Sequence, residues 1–196
     1  SIKKKIKYRP FLVKEEKLLV LALESEDSKQ ISTALKSVIK GCILTKGIKV
    51  EELPTFDIEY IFLNIRGKSV GEEVEVNIIA PDDEITSIPV KIKLDDIKVI
   101  ENKEHTKQIK LDDTLMMEMK YPSLEQFIKN NFDFTEESSV DQSFDLITAC
   151  IDKIYSEDEV WATADCTQKE VSEFLEQMNS AQFKEIEKFF ETMPKL

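Results

Sequence analysis

Gly67-Lys68-Ser69 has the residue types that close a phosphate-binding loop. In such a loop backbone amides cradle the phosphates, the lysine reaches them and the hydroxyl holds a metal ion. A further glycine must stand five positions before the first, with a strand before the loop and a helix after it. Phe62 occupies that position here, and a helical stretch, Phe56 to Ile65, precedes the triplet. Two other readings of the elbow Arg66-Gly67-Lys68-Ser69 remain. It is a helix C-terminus whose cations complement the macrodipole and whose glycine takes a left-handed φ, or it docks a partner. A small nucleotide-binding enzyme built on Lys68 and Ser69 is the rival reading, disfavoured by Phe62.

The other chemistry-bearing residues are sparse. His105 is the sole histidine and lies in the polar turn Glu104-His105-Thr106-Lys107, where a surface position is expected. Cys42, Cys150 and Cys166 form no CxxC pair, so reduced, buried or half-buried thiols and a cytosolic setting are expected, and a zinc site of the usual nitrogen and sulfur type has too few ligands. No nucleophile-elbow motif accompanies His105, which removes a Ser-His-Asp arrangement. The carboxylate pairs Asp82/Asp83, Asp95/Asp96, Asp112/Asp113 and Glu136/Glu137 fit turn chemistry. No catalytic residue, metal, cofactor or small-molecule substrate is expected, and the chain reads as a non-enzyme.

The 196-residue chain carries a net charge of −12. The imbalance is local: residues 1–130 hold 22 basic and 23 acidic side chains, residues 131–196 hold 5 and 16. A field of that sign repels a phosphate backbone, which argues against nucleic acid as a partner. Lys3, Lys4, Lys5, Lys7 and Arg9 are the basic exception, read as the solvated face of an edge strand. The longest apolar run, Leu18 to Leu23, is far short of the ~20 residues that span a bilayer, so no membrane association is expected. The start has no apolar stretch of a secretion signal, and with Ser1 in place of methionine the native start is expected upstream.

The elements that would position these residues follow from periodicity. Ile2, Ile6 and Tyr8 alternate with lysines as a first strand that Pro10 ends, and Val13–Leu23, whose Leu18–Leu23 run is apolar nearly all round, is expected as a core helix. Ile31, Leu35, Val38, Ile39 and Cys42 make one stripe of a second helix; Pro54-Thr55 opens a third, with Thr55 as its N-cap, that Gly67 or Gly71 ends. Runs near 74–78, 88–94, 97–100, 108–111 and 115–121 alternate as strands, with Pro81–Glu84 a turn, and suggest an antiparallel meander. Met116, Met117 and Met119 are expected as core.

Ser123/Gln126 and Thr167/Glu170 have capping-box spacing, and Ser180 offers a third cap. Phe144, Ile147, Ile151 and Ile154 read as one helical stripe beyond the acidic connector Asp133–Asp141. The fold expected is therefore α+β: an N-terminal strand and helices packed with a small antiparallel meander in a lobe over 1–122, then an acidic helical region over 123–196. Phe174, Phe183, Phe189 and Phe190 are many aromatics for two short helices. They form either an apolar interface rimmed by glutamates or the inside of a self-contained hairpin.

Three segments, Lys7–Lys17 (KYRPFLVKEEK), Phe56–Glu72, and Lys110-Leu111-Asp112-Asp113 followed by Met119-Lys120-Tyr121-Pro122, occur in an order that resembles the baseplate hub protein family of T4-like contractile-tailed phages. The resemblance runs over about residues 2–135. It implies a non-enzymatic role in building the central hub of the tail baseplate, as a hub component or a hub assembly chaperone. The implied partners are other hub proteins or a second copy of the chain. The implied locations are the host cytoplasm during assembly and the virion tail baseplate. It transfers no catalytic residue. The residues expected to bind partners are Arg9, Arg66 and Lys68 in the first lobe and Phe183 and Phe190 in the last helix; an acidic interaction module unrelated to phage tails is the alternative.

Overall fold

The computed structural model describes residues 4–79, 86–126, 128 and 139–196, with only the backbone of 139 and 141. The protein is α+β. Two compact units divide it: one runs to residue 99 and the other holds 100–195, with 26–29 grouped with the second and Leu196 with the first. The strands over 108–119 therefore belong with the C-terminal helices, where the sequence reading placed them in the lobe before residue 122.

In the first unit α1 (Val13–Glu24), α2 (Ser28–Cys42) and α3 (Thr55–Val70) are followed by a two-stranded ribbon, β1 (Glu73–Ile79) with β2 (Ser87–Lys93). The buried side chains come mainly from α2 and α3: Ile31, Val38, Ile39 and Cys42 on one, Phe56, Ile58, Ile61 and Ile65 on the other. The stripe read on α2 is thus its inward face. Pro89 sits opposite Asn77 in a ribbon where both strands are edges, so its missing N–H leaves no third strand unpaired.

Several expectations for this unit need correction. Among the described residues the first strand is a single antiparallel bridge between Tyr8 and Ile43, because Ile43 directly follows the end of α2 and Pro10 bars extension past Arg9. Thr55 is the first helical residue of α3, with Pro54 at the cap position. Gly67 stays helical and buried, and the helix ends at Gly71, whose φ of 133° is the backbone only glycine adopts at low cost. The helix α1 is not a core helix. Only Glu15 and Ala22, two turns apart on one face, are buried, while Leu18, Val20, Leu21 and Leu23 are 40 to 54 % exposed.

In the second unit a four-stranded antiparallel sheet has the order β3 (Gln108–Lys110), β4 (Met116–Met119), β5 (Ile151–Tyr155), β6 (Val160–Ala162). Its helices with a fully described backbone are α4 (Ser139–Cys150), α5 (Gln168–Glu176) and α6 (Ser180–Thr192). Ile109, Met117, Met119, Ile147, Ile151, Leu175, Ile186 and Phe189 belong to its core, so Met117 and Met119 fill core space as expected. The expected meander is two separate sheets. The expected stripe from Phe144 to Ile154 is likewise broken: α4 ends at Cys150 and Ile151 opens β5. Residues 151–155 include two β-branched side chains, and pairing with β4 on one side and β6 on the other overrides a helical spacing. The run 97–100 contributes only a bridge from Ile100 to Lys195.

Capping chemistry was legible. Thr167 accepts from Glu170 N at 3.3 Å while Glu170 Oε2 accepts from Thr167 N at 2.7 Å. Ser123 and Gln126 do the same around the helical residues 124–126; the remainder of that expected helix, the turn Pro81–Glu84 and the connector over 133–138 lie outside the described residues. At α6 the cap is Asn179, whose Oδ1 accepts from Ala181 N and Gln182 N, one residue before the expected Ser180.

Candidate functional site

The N-terminal segment and α3 meet through two hydrogen bonds. Tyr8 OH donates to Asn64 Oδ1 at 3.4 Å, and Phe11 N donates to Ser69 Oγ at 2.9 Å. Ser69 Oγ in turn donates to Ile65 O, so the hydroxyl of the phosphate-loop-like triplet is used up in joining α3 to the segment before α1. Lys68 pairs with Glu72 at 2.5 Å, an i,i+4 pair half open to solvent, which holds the lysine's pKa above its ordinary value. Such an exposed pair stabilises little and leaves the cation free to exchange partners. Arg66 is half-buried and forms no ion pair with another described residue. The elbow is therefore the last turn of α3, held against the chain start by Ser69.

Arg9 faces elsewhere. Its guanidinium donates to Glu15 Oε1 at 2.6 Å, to Glu15 Oε2 at 2.9 Å and to Pro10 O at 2.8 Å. Glu15 Oε2 also accepts from Leu12 N at 2.7 Å, capping the first turn of α1. The Arg9 hydrogen bonds first, then the Leu12 amide, hold the Glu15 carboxyl well below the usual carboxylate range, at about 2. Gly41 makes room for this junction: a Cβ there would lie 3.3 Å from Glu15 Oε1. Burial pushes the neighbouring Cys42 thiol up. Arg9, Arg66 and Lys68 thus lie on adjoining segments of one unit, but Arg9 is committed to fixing α1.

In the second unit Phe183 stacks on Phe144 with ring centroids 5.8 Å apart, and Phe190 meets Phe189 edge-on at 5.2 Å. Phe189 is buried, whereas Phe174, Phe183 and Phe190 are half-buried and pack against the core of their own unit. Phe190 also lines an open recess of about 390 Å³ with Leu146, Ile147, Glu187 and Glu191. The aromatics are shared between core and surface.

Two features were not found from sequence. His105 is half-buried: Nδ1 lies 3.0 Å from Thr192 Oγ1, Nε2 lies 3.0 Å from Tyr121 OH, and the ring packs on Tyr121 and Phe189. Burial, then Lys107, pushes its pKa down. Its partners stand 16 and 87 residues away, beyond any local signal. The second is the exposure of α1, whose apolar residues look like core residues in any sequence pattern. Among the described residues no helix is long and apolar enough to cross a membrane.

Comparison with known proteins adds one match. A family model described as T4 bacteriophage base plate protein matches residues 1–196. No curated protein and no solved structure matches the chain.

Proposed function

The chain belongs to the T4 bacteriophage base plate protein family, and on that premise we propose that it helps to build the central hub of the tail baseplate through protein–protein contacts, without catalysis, as a hub component or a hub assembly chaperone. The observation that supports this reading is α1. A helical run that is apolar all round is ordinarily buried on all sides, yet over Leu18–Leu23 α1 buries only Ala22 and leaves four leucine and valine side chains about half exposed. Several exposed large apolar side chains within two turns mark a partner site in this reading.

The docking surface in this reading is α1 with the cations Arg66 and Lys68 at the end of α3. Arg9 serves it indirectly by fixing the start of α1 through Glu15. Phe183 and Phe190 offer a second contact in the acidic unit, whose −11 charge over residues 131–196 steers it toward a basic surface. The protein acts in the host cytoplasm during assembly; as a component it also remains in the baseplate.

The test is capture of tagged protein from infected cells, with the protein content of purified particles measured beside it. Other baseplate proteins should co-purify with the native chain and not with Leu18→Gln/Leu21→Gln/Leu23→Gln. Presence in particles identifies a component and absence a chaperone. Capture of no baseplate protein, or equal capture by the variant, overturns the reading.

A further inference from the structure

A groove in the second unit lies between the sheet and α5. Ile154 on β5 and Trp161 on β6 are register partners, and with Leu115, Cys166, Val171 and Phe174 they line an open recess of about 300 Å³ whose walls are almost wholly apolar. Trp161 is 43 % exposed and its neighbour Val160 is 65 % exposed. That volume is at the lower end of what small-ligand sites offer, but such sites carry several polar groups to orient their ligand, whereas the polar residues here, Thr163 and Glu170, are already hydrogen-bonded to the backbone of β5 and to Thr167. It suits apolar side chains instead.

The turns on either side of β6 carry one sign of charge. Glu157, Asp158 and Glu159 occupy the turn from β5 to β6, Asp165 the turn before α5, and all four are exposed. No lysine or arginine occurs from 154 to 168. The flanking cations already face carboxylates: Lys153 pairs with Glu118 at 3.1 Å, Lys169 with Glu173 at 3.5 Å, and Lys120, which lines a neighbouring recess with Thr163, Cys166 and Val171, lies 3.9 Å from Asp152. Beside the groove, β6 is the last strand of the sheet and pairs with no strand on its outer side among the described residues.

We propose that this groove docks a basic segment of another protein chain, which seats one or two large apolar side chains over Trp161 while its lysines or arginines meet the carboxylates at 157–159. Apolar contact in a desolvated pocket supplies the affinity, and the acidic rim supplies the choice of sign and the rate of encounter. A second copy's acidic unit is repelled by the same rim, as is nucleic acid. The proposal concerns a different unit from α1 and stands whether or not α1 docks a hub protein.

Trp161 is the sole tryptophan, so its emission reports occupancy of the groove without a label. Cys166 gives a second readout, because it is exposed while Cys42 and Cys150 are buried. The probe is a blocked six-residue peptide with leucine and phenylalanine between two pairs of lysines, titrated into the full chain at low salt. A saturable blue shift of Trp161 and slower thiol modification of Cys166 are expected. Replacing the peptide's lysines by glutamate, or its two apolar residues by alanine, should weaken binding about tenfold or more.

Glu157→Lys/Asp158→Lys/Glu159→Lys should weaken it about fivefold, in a turn closed by Ser156 N donating to Glu159 O and so indifferent to those side chains. Trp161→Gln should abolish Cys166 protection; if that variant does not fold, the charge variant still decides. The proposal is overturned by no shift and no protection at millimolar peptide, by equal binding of the glutamate peptide, or by an unchanged affinity in the charge variant. Trp161 emission that depends on protein concentration alone would also overturn it, and would give the groove to a second copy.

Discussion

Arg9 grips Glu15 with both guanidinium nitrogens, at 2.6 and 2.9 Å, while the same carboxylate caps α1 by accepting from Leu12 N at 2.7 Å. One buried carboxylate therefore sets where the exposed helix begins. Glu15 titrates near 2 when folded and near 4.5 when free, so its contribution is fully present above about pH 4.5 and is lost as pH falls toward 2. The difference between the two values corresponds to roughly 3 kcal/mol. Glu15→Gln should flatten acid unfolding in that window. Arg9→Ala should cost a similar amount at pH 7 by leaving the carboxylate without its cation, as read from denaturant midpoints.

Gly67 and Gly71 should respond to alanine with opposite signs. At Gly67 a Cβ would meet Leu94 Cδ1 at 3.5 Å, an ordinary contact, inside a helix where alanine outranks glycine. Gly67→Ala should raise stability by about 0.5–1 kcal/mol. At Gly71 the φ of 133° strains any L side chain, and Gly71→Ala should cost about 1 kcal/mol or more. A loss on Gly67→Ala would contradict the helical last turn of α3.

His105 lies between Thr192 and Tyr121, where burial and then Lys107 disfavour its protonated form. With its folded pKa below 6.5, the unfolded chain binds the extra proton first, so stability is fully present above pH 6.5 and declines as pH falls through the folded value. Thermal melts across that range should show the decline, and His105→Gln should remove it. An unchanged slope in the variant would assign it to other groups.

Charge reversal at Arg66 and Lys68 should leave the melting temperature nearly unchanged, since Lys68 makes only a half-exposed pair with Glu72 and Arg66 makes none with another described residue. Partner capture should weaken. Unfolding of the double variant would mark these residues as structural and remove them from the docking surface.

A chain ending before Val140 should lose the second unit. It would strip β5 and β6 from β4, leaving Ile109, Met117 and Met119 without the helices that cover them. Hydrogen exchange should then show residues 100–120 unprotected; retained protection there would mean that β3 and β4 fold without the C-terminal region.

The sequence by itself determined the features whose cause lies within a few residues. The box Thr167/Glu170, the stripe of α2, the turn at Asp112, whose Oδ1 accepts from Thr114 N and Leu115 N, and the failure of Gly67-Lys68-Ser69 as a phosphate loop all depend on local spacing. The α+β class followed from where the period changes, and family membership from three segments in order. Only the tertiary structure decided what depends on distant neighbours. Ile151 and Ile154 keep a helical spacing yet lie in a strand, because β4 and β6 supply hydrogen-bond partners that the spacing cannot reveal. Leu18, Val20, Leu21 and Leu23 have core composition yet face outward, because burial depends on what packs against a helix, and here one face alone is covered. His105 is fixed by residues 16 and 87 positions away, and Trp161 walls a groove with residues from β5, α5 and the loops between strands, since side chains that meet in space need have no relation along the chain.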